Sequence, residues 1–211
     1  MTLMIGWLGK IPLAASQVSS QFFLLLVIPI FALQQTSGIL VSQAYGEKQF
    51  SLINRVSHMV LYVGLVFALF VAALFIFFPH VLINAYLATR HFENPAMIQL
   101  AIYLMMLTGL RVFFDTIVQI KTGSLRGLFD TRKPMFIVIS LRWFIGLPLA
   151  YFLGFICHFG AVGVSIGTVT GVMLAAVFMW RRWHRVLACT LKKVKLESPP
   201  TPNKPHTSTA K

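Results

Sequence analysis

Asp115 is the group in this sequence best placed to do chemistry. It lies in RVFFDTIVQIKTGSLRGLFDTRKPM, residues 111–135, in the apolar half of that stretch. A carboxylate there is costly unless something offsets its charge. A proton can neutralise it or Na+ can be coordinated by it, so its occupancy can select between two states of a protein. Thr116 and Gln119 flank it and can add neutral oxygen ligands, although helix packing is the plainer account of both. Two arginines offer a different answer. Arg111 lies four residues before Asp115, on the same helical face. Asp115 is six residues from Lys121 and Arg142 eight from Pro134, depths of roughly 9 and 12 Å at the usual helical rise. A carboxylate paired with guanidinium stays ionised and is less free to take Na+ or a proton. Asp115 is therefore either a cation ligand or the internal counter-ion of Arg111 or Arg142.

Other chemistry finds little support. Cys157 and Cys189 are separated by an apolar run long enough to cross a bilayer, which excludes a CxxC site and a structural disulfide. The six histidines (58, 80, 91, 158, 184 and 206) lack metal-ligand spacing. No nucleophile triad, phosphate loop or GxGxxG stands out, so no catalytic residue, metal or cofactor is expected and the chain does not read as an enzyme. A net charge of +13 raises nucleic acid as a partner. Many of the basic residues, however, follow Trp180 as a tail after an apolar run, which suits a membrane surface better. Membrane lipid is the expected partner, and nucleic acid is not.

The elements that must position Asp115 follow from composition. Of 211 residues, 57% are hydrophobic and 11% charged, with a mean hydropathy of +0.79, too little polar surface to coat a soluble domain. A hydrocarbon core ~30 Å thick needs about 20 apolar helical residues. Five runs meet that length, at about 11–44, 59–78, 96–120, 135–157 and 161–183. The alternation of a membrane β-barrel is absent. The fold class is an all-α integral membrane bundle of five transmembrane helices. Pro29 predicts a kink in the first span. YGEK, Glu93-Asn94-Pro95, Gly127 with Pro134, and HFG at 158–160 are the expected breaks. GSLRGLFDTRKPM reads as a tight hairpin, turned by its glycines. Gly163, Gly167 and Gly171 form a close-packing stripe, and Gln34 and Gln35 are candidates for hydrogen bonding between helices or for a cavity wall.

Lysine and arginine set the orientation. One membrane face receives Lys48, Arg55, Lys121, Arg126, Arg132, Lys133 and the eight basic residues from Arg181 onward, and the other only Lys10 and Arg90. Fourteen against two makes the first face cytoplasmic. With five spans and a cytoplasmic C-terminus, the N-terminus lies outside, as though a preceding helix were missing. Residues 186–211 form a basic, proline-rich cytoplasmic tail, expected to be disordered.

Several blocks then carry a resemblance. GSLRGLFDTRKPM, WFIGLPLAYFLG and GAVGVSIGTVTGVMLAAVFMWRR resemble the C-terminal end of the multidrug and toxic compound extrusion (MATE) family, and LGKIPLAASQVSSQFFLLLVIPIFALQQTSGILVSQAYGEK resembles its segment joining the seventh and eighth helices. Their order and distances match too, over roughly residues 6–185. The resemblance implies the C-terminal half of a twelve-helix fold, with a domain over 1–185 that holds five spans and a partial N-terminal helix. It implies multi-pass residence in the plasma membrane, the bacterial inner membrane. The implied function is efflux of cationic, amphipathic, drug-like substrates in exchange for Na+ or H+ as the coupling ion. A bacterial branch of the family carries an aspartate where Asp115 stands, eight residues before the glycine of GSLRG, and uses it in coupling-cation binding. The family's partner glutamate, on its seventh helix, would precede Met1. Arg111 and Arg142 occupy positions where that branch has uncharged residues.

Three alternatives accompany this reading. The chain can be an inactive remnant of such a transporter. It can be a half-transporter that assembles with a separate N-terminal lobe or a second copy. A lipid-linked glycan flippase of the wider superfamily is the third, and needs Arg111 and Arg142 on a shared lumen without a tight Asp115–Arg142 pair.

Overall fold

The computed structural model of the chain describes residues 5–6, 9–77 and 95–197. Their regular structure is entirely helical: α1 (Lys10–Gly46), α2 (Phe50–Phe77), α3 (Pro95–Gly127), α4 (Arg132–Ser140), α5 (Leu147–Tyr151) and α6 (Gly160–Glu197). Two π-helical turns, Leu141–Gly146 and Phe152–Ile156, join α4 and α5 into one continuous fourth span, Arg132–Ile156. Five helices are thus long and apolar enough to cross a membrane. This is a multi-pass membrane protein.

The spans run alternately between two ends. Gly46, Gly127 and Arg132 mark the basic end, and Phe77, Pro95, Ile156 and Gly160 the opposite one. α3 is the hub and packs against α1, α2 and α6, while the fourth span lies on α6. Lipid removes the hydrophobic drive between helices, so small residues that let backbones approach do the work. A Cβ at Gly123 would lie 2.1 Å from Gln34 O, and one at Gly127 2.6 Å from Gly38 O. On α6, a Cβ at Gly163 would meet Leu153 O at 2.5 Å, at Gly167 the Ala150 Cα at 2.4 Å, and at Gly171 the Gly146 Cα at 2.8 Å.

Helix ends differ from the apolar runs, because hydropathy marks the hydrocarbon slab and not the hydrogen-bonded helix. α2 starts well before residue 59. α3 runs past residue 120 to Gly127, which corrects the hairpin reading of GSLRG. Its glycines lie within the helix as contact residues, and the chain turns instead at Leu128–Thr131, where Phe129 takes a left-handed φ of 60°. Asp130 then accepts two bonds from Arg182 of α6, at 3.0 Å from Nε and 2.5 Å from the terminal nitrogen, and pins that turn. α6 continues through residues 186–197, so the tail expected from 186 is helical to Glu197. Residues 198–211 lie outside the described residues, as do Glu93 and Asn94. α1 is unbroken through Pro29. Most of the expected partial N-terminal helix is likewise outside the description, although Ile5 and Gly6 are helical and Ile5 is buried in the core.

Candidate functional site

Asp115, on α3, is the sole carboxylate inside a span among the described residues, and it is 2% exposed. Arg142 of the fourth span donates from a terminal nitrogen to its Oδ1 at 2.5 Å. The two partners differ in setting, with side-chain exposures of 40% for Arg142 and 3% for Asp115. Local sequence explains how Arg142 is presented. Pro148 cannot donate to the carbonyl one turn back, and the chain accommodates this with the π turn Leu141–Gly146, in which the Leu147 N–H reaches Arg142 O.

Arg111 takes no part in that pair. Its guanidinium stacks 4.4 Å from the centre of the Phe23 ring, and its buried Nε–H has no acceptor among the described residues. Thr116 is turned away from Asp115. Its hydroxyl donates to Val112 O at 2.8 Å, and its methyl faces Gly64 of α2. Gln119, one helical turn beyond Asp115, shares a cavity with Gln34, Thr122, Arg126 and Arg142. Gln34 is buried with no donor to its Oε1 among the described residues, whereas Gln35 is exposed on another face of α1. The structure therefore gathers Asp115, Arg142, Gln119 and Gln34, and leaves Thr116 and Gln35 outside.

Three cavities form a chain along the inner faces of these helices. Nearest the opposite end, a cavity of about 90 Å³ is lined by Ser16, Ser19, Ser20, Thr108, Arg111 and Thr168 among others. Those five hydroxyl residues each donate to a carbonyl of their own helix, so their lone pairs remain to accept. Arg111 and Thr168 also border a second cavity of about 260 Å³, which reaches Arg142. Arg142 in turn borders the third, of about 130 Å³, toward the basic end. No cluster of three or more His, Cys, Asp or Glu side chains able to hold a metal occurs among the described residues.

Lys121 is the residue that sequence reasoning misplaced. The charge tally counts it with the basic connections, but it is fully buried in α3. Its Nζ donates to Ser57 Oγ at 3.1 Å and lies 5.1 and 4.8 Å from the ring centres of Trp180 and Trp183. Ser57 and Ser124 are hydrogen-bonded at 2.9 Å, and Ser124 and Ser37 at 2.6 Å. This buried network ties α1, α2, α3 and α6 together. Without Lys121 the sequence tally becomes thirteen against two.

The same helices and the same order occur in known proteins. The family model described as MatE matches residues 1–152. The chain belongs to the MatE family. A relative from Rhizobium meliloti (strain 1021), described as "Probable multidrug resistance protein NorM", is 33% identical over 88% of this chain and 40% of its own length. The fold matches an inward-facing multidrug resistance MATE family transporter with a TM-score of 0.77 at 18% identity, over 86% of this chain and 41% of that one. It also matches an outward-facing one with a TM-score of 0.74 at 17% identity, over 84% and 38%. The chain thus spans about 40% of the length of the MatE relatives it matches.

Proposed function

We propose that this chain is the C-terminal lobe of a MATE-type multidrug efflux transporter, working by exchange of amphipathic cations for Na+ or H+ and altering no covalent bond. In this reading it resides in the bacterial inner membrane, with the basic end cytoplasmic and the N-terminus outside. Membrane lipid surrounds it, and a complementary N-terminal lobe or a second copy completes the path, since the relatives are longer than the region matched.

The observation that carries the lobe assignment is the match to MatE-family transporters, and the Asp115–Arg142 pair between α3 and the fourth span offers a way to couple that lobe to an ion. A buried carboxylate held by a half-exposed guanidinium is a contact with two alternatives. Na+ or a proton reaching Asp115 displaces Arg142 and loosens the fourth span from α3, and loss of the ion restores the contact. Gln119 and Gln34 supply neutral oxygens beside the cavity that Arg142 borders. Such an exchange converts ion occupancy into a choice between two helix arrangements. The flippase alternative is disfavoured, because Arg142 is engaged by Asp115 and leaves too little positive charge for a pyrophosphate.

Ethidium transport in everted membrane vesicles tests the proposal. Asp115→Asn is expected to abolish uptake driven by a Na+ or pH gradient while the amount of inserted protein is unchanged, and Asp115→Glu to retain part of it. Full activity in Asp115→Asn would overturn the coupling role.

A further inference from the structure

The interior of the bundle carries more positive than negative charge. Arg111, Lys121 and Arg142 face a single carboxylate, Asp115, among the described residues within the spans. Lys121 is enclosed by Ser57 and two indoles. Arg111 and Arg142 instead border one common cavity of about 260 Å³. Asp115 is not in the cavity wall but is paired with Arg142, so the two guanidiniums and this one carboxylate leave a net charge of +1. The Nε–H of each guanidinium is buried without an acceptor among the described residues, and Arg111 lies against the Phe23 ring. The rest of the wall includes Thr168 and the apolar Trp143, Leu147 and Val172.

We propose that the cavity between Arg111 and Arg142 binds a singly charged amphiphilic anion, a carboxylate or sulfonate on a short apolar chain. The headgroup lies between the two guanidiniums, which are geometrically suited to planar and tetrahedral oxyanions. The apolar chain lies along Trp143, Leu147 and Val172. The net charge of +1 selects a monoanion over a pyrophosphate and disfavours a cation at this position. The volume, just below the ~300 Å³ at which small-molecule sites begin, selects a small ligand. The site shares Arg142 with the proposed ion exchange but does not rest on it, since Arg111→Gln and Leu147→Trp change neither partner of the Asp115–Arg142 pair.

Binding of radiolabelled octanesulfonate to the full chain in phosphatidylcholine nanodiscs tests it, with empty discs subtracted and octyltrimethylammonium as the control of opposite charge. The expected result is saturable binding of the sulfonate alone. Arg111→Gln weakens it about tenfold or more, as loss of a charged hydrogen-bond donor implies, and Arg111→Lys restores part of it. Leu147→Trp fills the cavity without altering charge and abolishes binding in protein that remains monodisperse. Equal binding of the two amphiphiles, or sulfonate binding indifferent to both Arg111→Gln and Leu147→Trp, overturns the proposal. Discs containing phosphatidylglycerol identify the natural source. Competition by that lipid supports an anionic headgroup in the site, and its absence supports a soluble amphiphile in the same site.

Discussion

The two partners of the central ion pair are unequal, and that inequality predicts which substitution is worse. Removing one partner of a buried pair costs ~3–5 kcal/mol, because an uncompensated charge stays behind. Arg142→Leu leaves Asp115 unpaired at 3% side-chain exposure and is expected to approach that loss. Asp115→Asn leaves behind a guanidinium that borders two cavities instead of being sealed in protein, so a smaller loss is expected. The double substitution should be more stable than Arg142→Leu alone. Melting of the three variants in one detergent checks this order, and equal losses for the two single variants would mean that the difference in setting does not decide the cost. Lys121 poses the converse problem. Lys121→Met keeps its volume and removes the desolvation cost, so little stability should be lost despite the two indoles. Ser57→Ala with Lys121 retained strips the ammonium of its acceptor and should cost about 1–3 kcal/mol. If the bond matters, Ser57→Ala should cost far less in a Lys121→Met background. The burial of Lys121 was not legible in sequence, because its covering rings come from Trp180 and Trp183 on α6, far along the chain. Depth arithmetic did bring Asp115 and Arg142 to similar levels, because that needs only helical rise and a short connection.

Elements were legible where a single physical signal governed them. A hydrocarbon slab demands a run of apolar helical residues, so the five spans could be counted from hydropathy alone. Their ends could not, since those depend on capping turns such as the one at Phe129. Glycine was ambiguous for a related reason. In GSLRG it reads equally as a turn or as a contact, and only the neighbouring helix decides. Gly123 sits so close to α1 that a methyl group would strike Gln34 O at 2.1 Å. Gly123→Ala is therefore expected to push α1 from α3, at a cost of about 1–3 kcal/mol, and to loosen the Ser37–Ser124 bond. A thermal melt reads the first effect. The second appears as faster exchange of the amides of α1 near Ser37 than of those near Ser16. An unchanged melt would show that the two helices have room to spare.

At the scale of the whole molecule, the two ends of the bundle differ in charge, and that difference predicts how it lies in the membrane. The basic end carries Lys48, Arg126, Arg132, Lys133, Arg181, Arg182 and Arg185, whereas the turn 157–159 at the opposite end has no lysine or arginine. Basic connections stay on the cytoplasmic side during insertion. Cys157 is a free, exposed thiol in that opposite turn, so it reports orientation without an added label. In a Cys189→Ser background, a membrane-impermeant maleimide applied to intact cells is expected to modify Cys157. Arg182→Cys, added in a Cys157→Ser, Cys189→Ser chain, should react only after the membrane is permeabilised. The reverse pattern would invert the topology and would leave Gln34, Gln119 and Arg126 open to the outer solution. Ions driven inward by their gradient would then first meet the Arg126 side of Asp115, not the cavity bordered by Arg111, and the proposed direction of exchange would fail even if the ion pair switched as described.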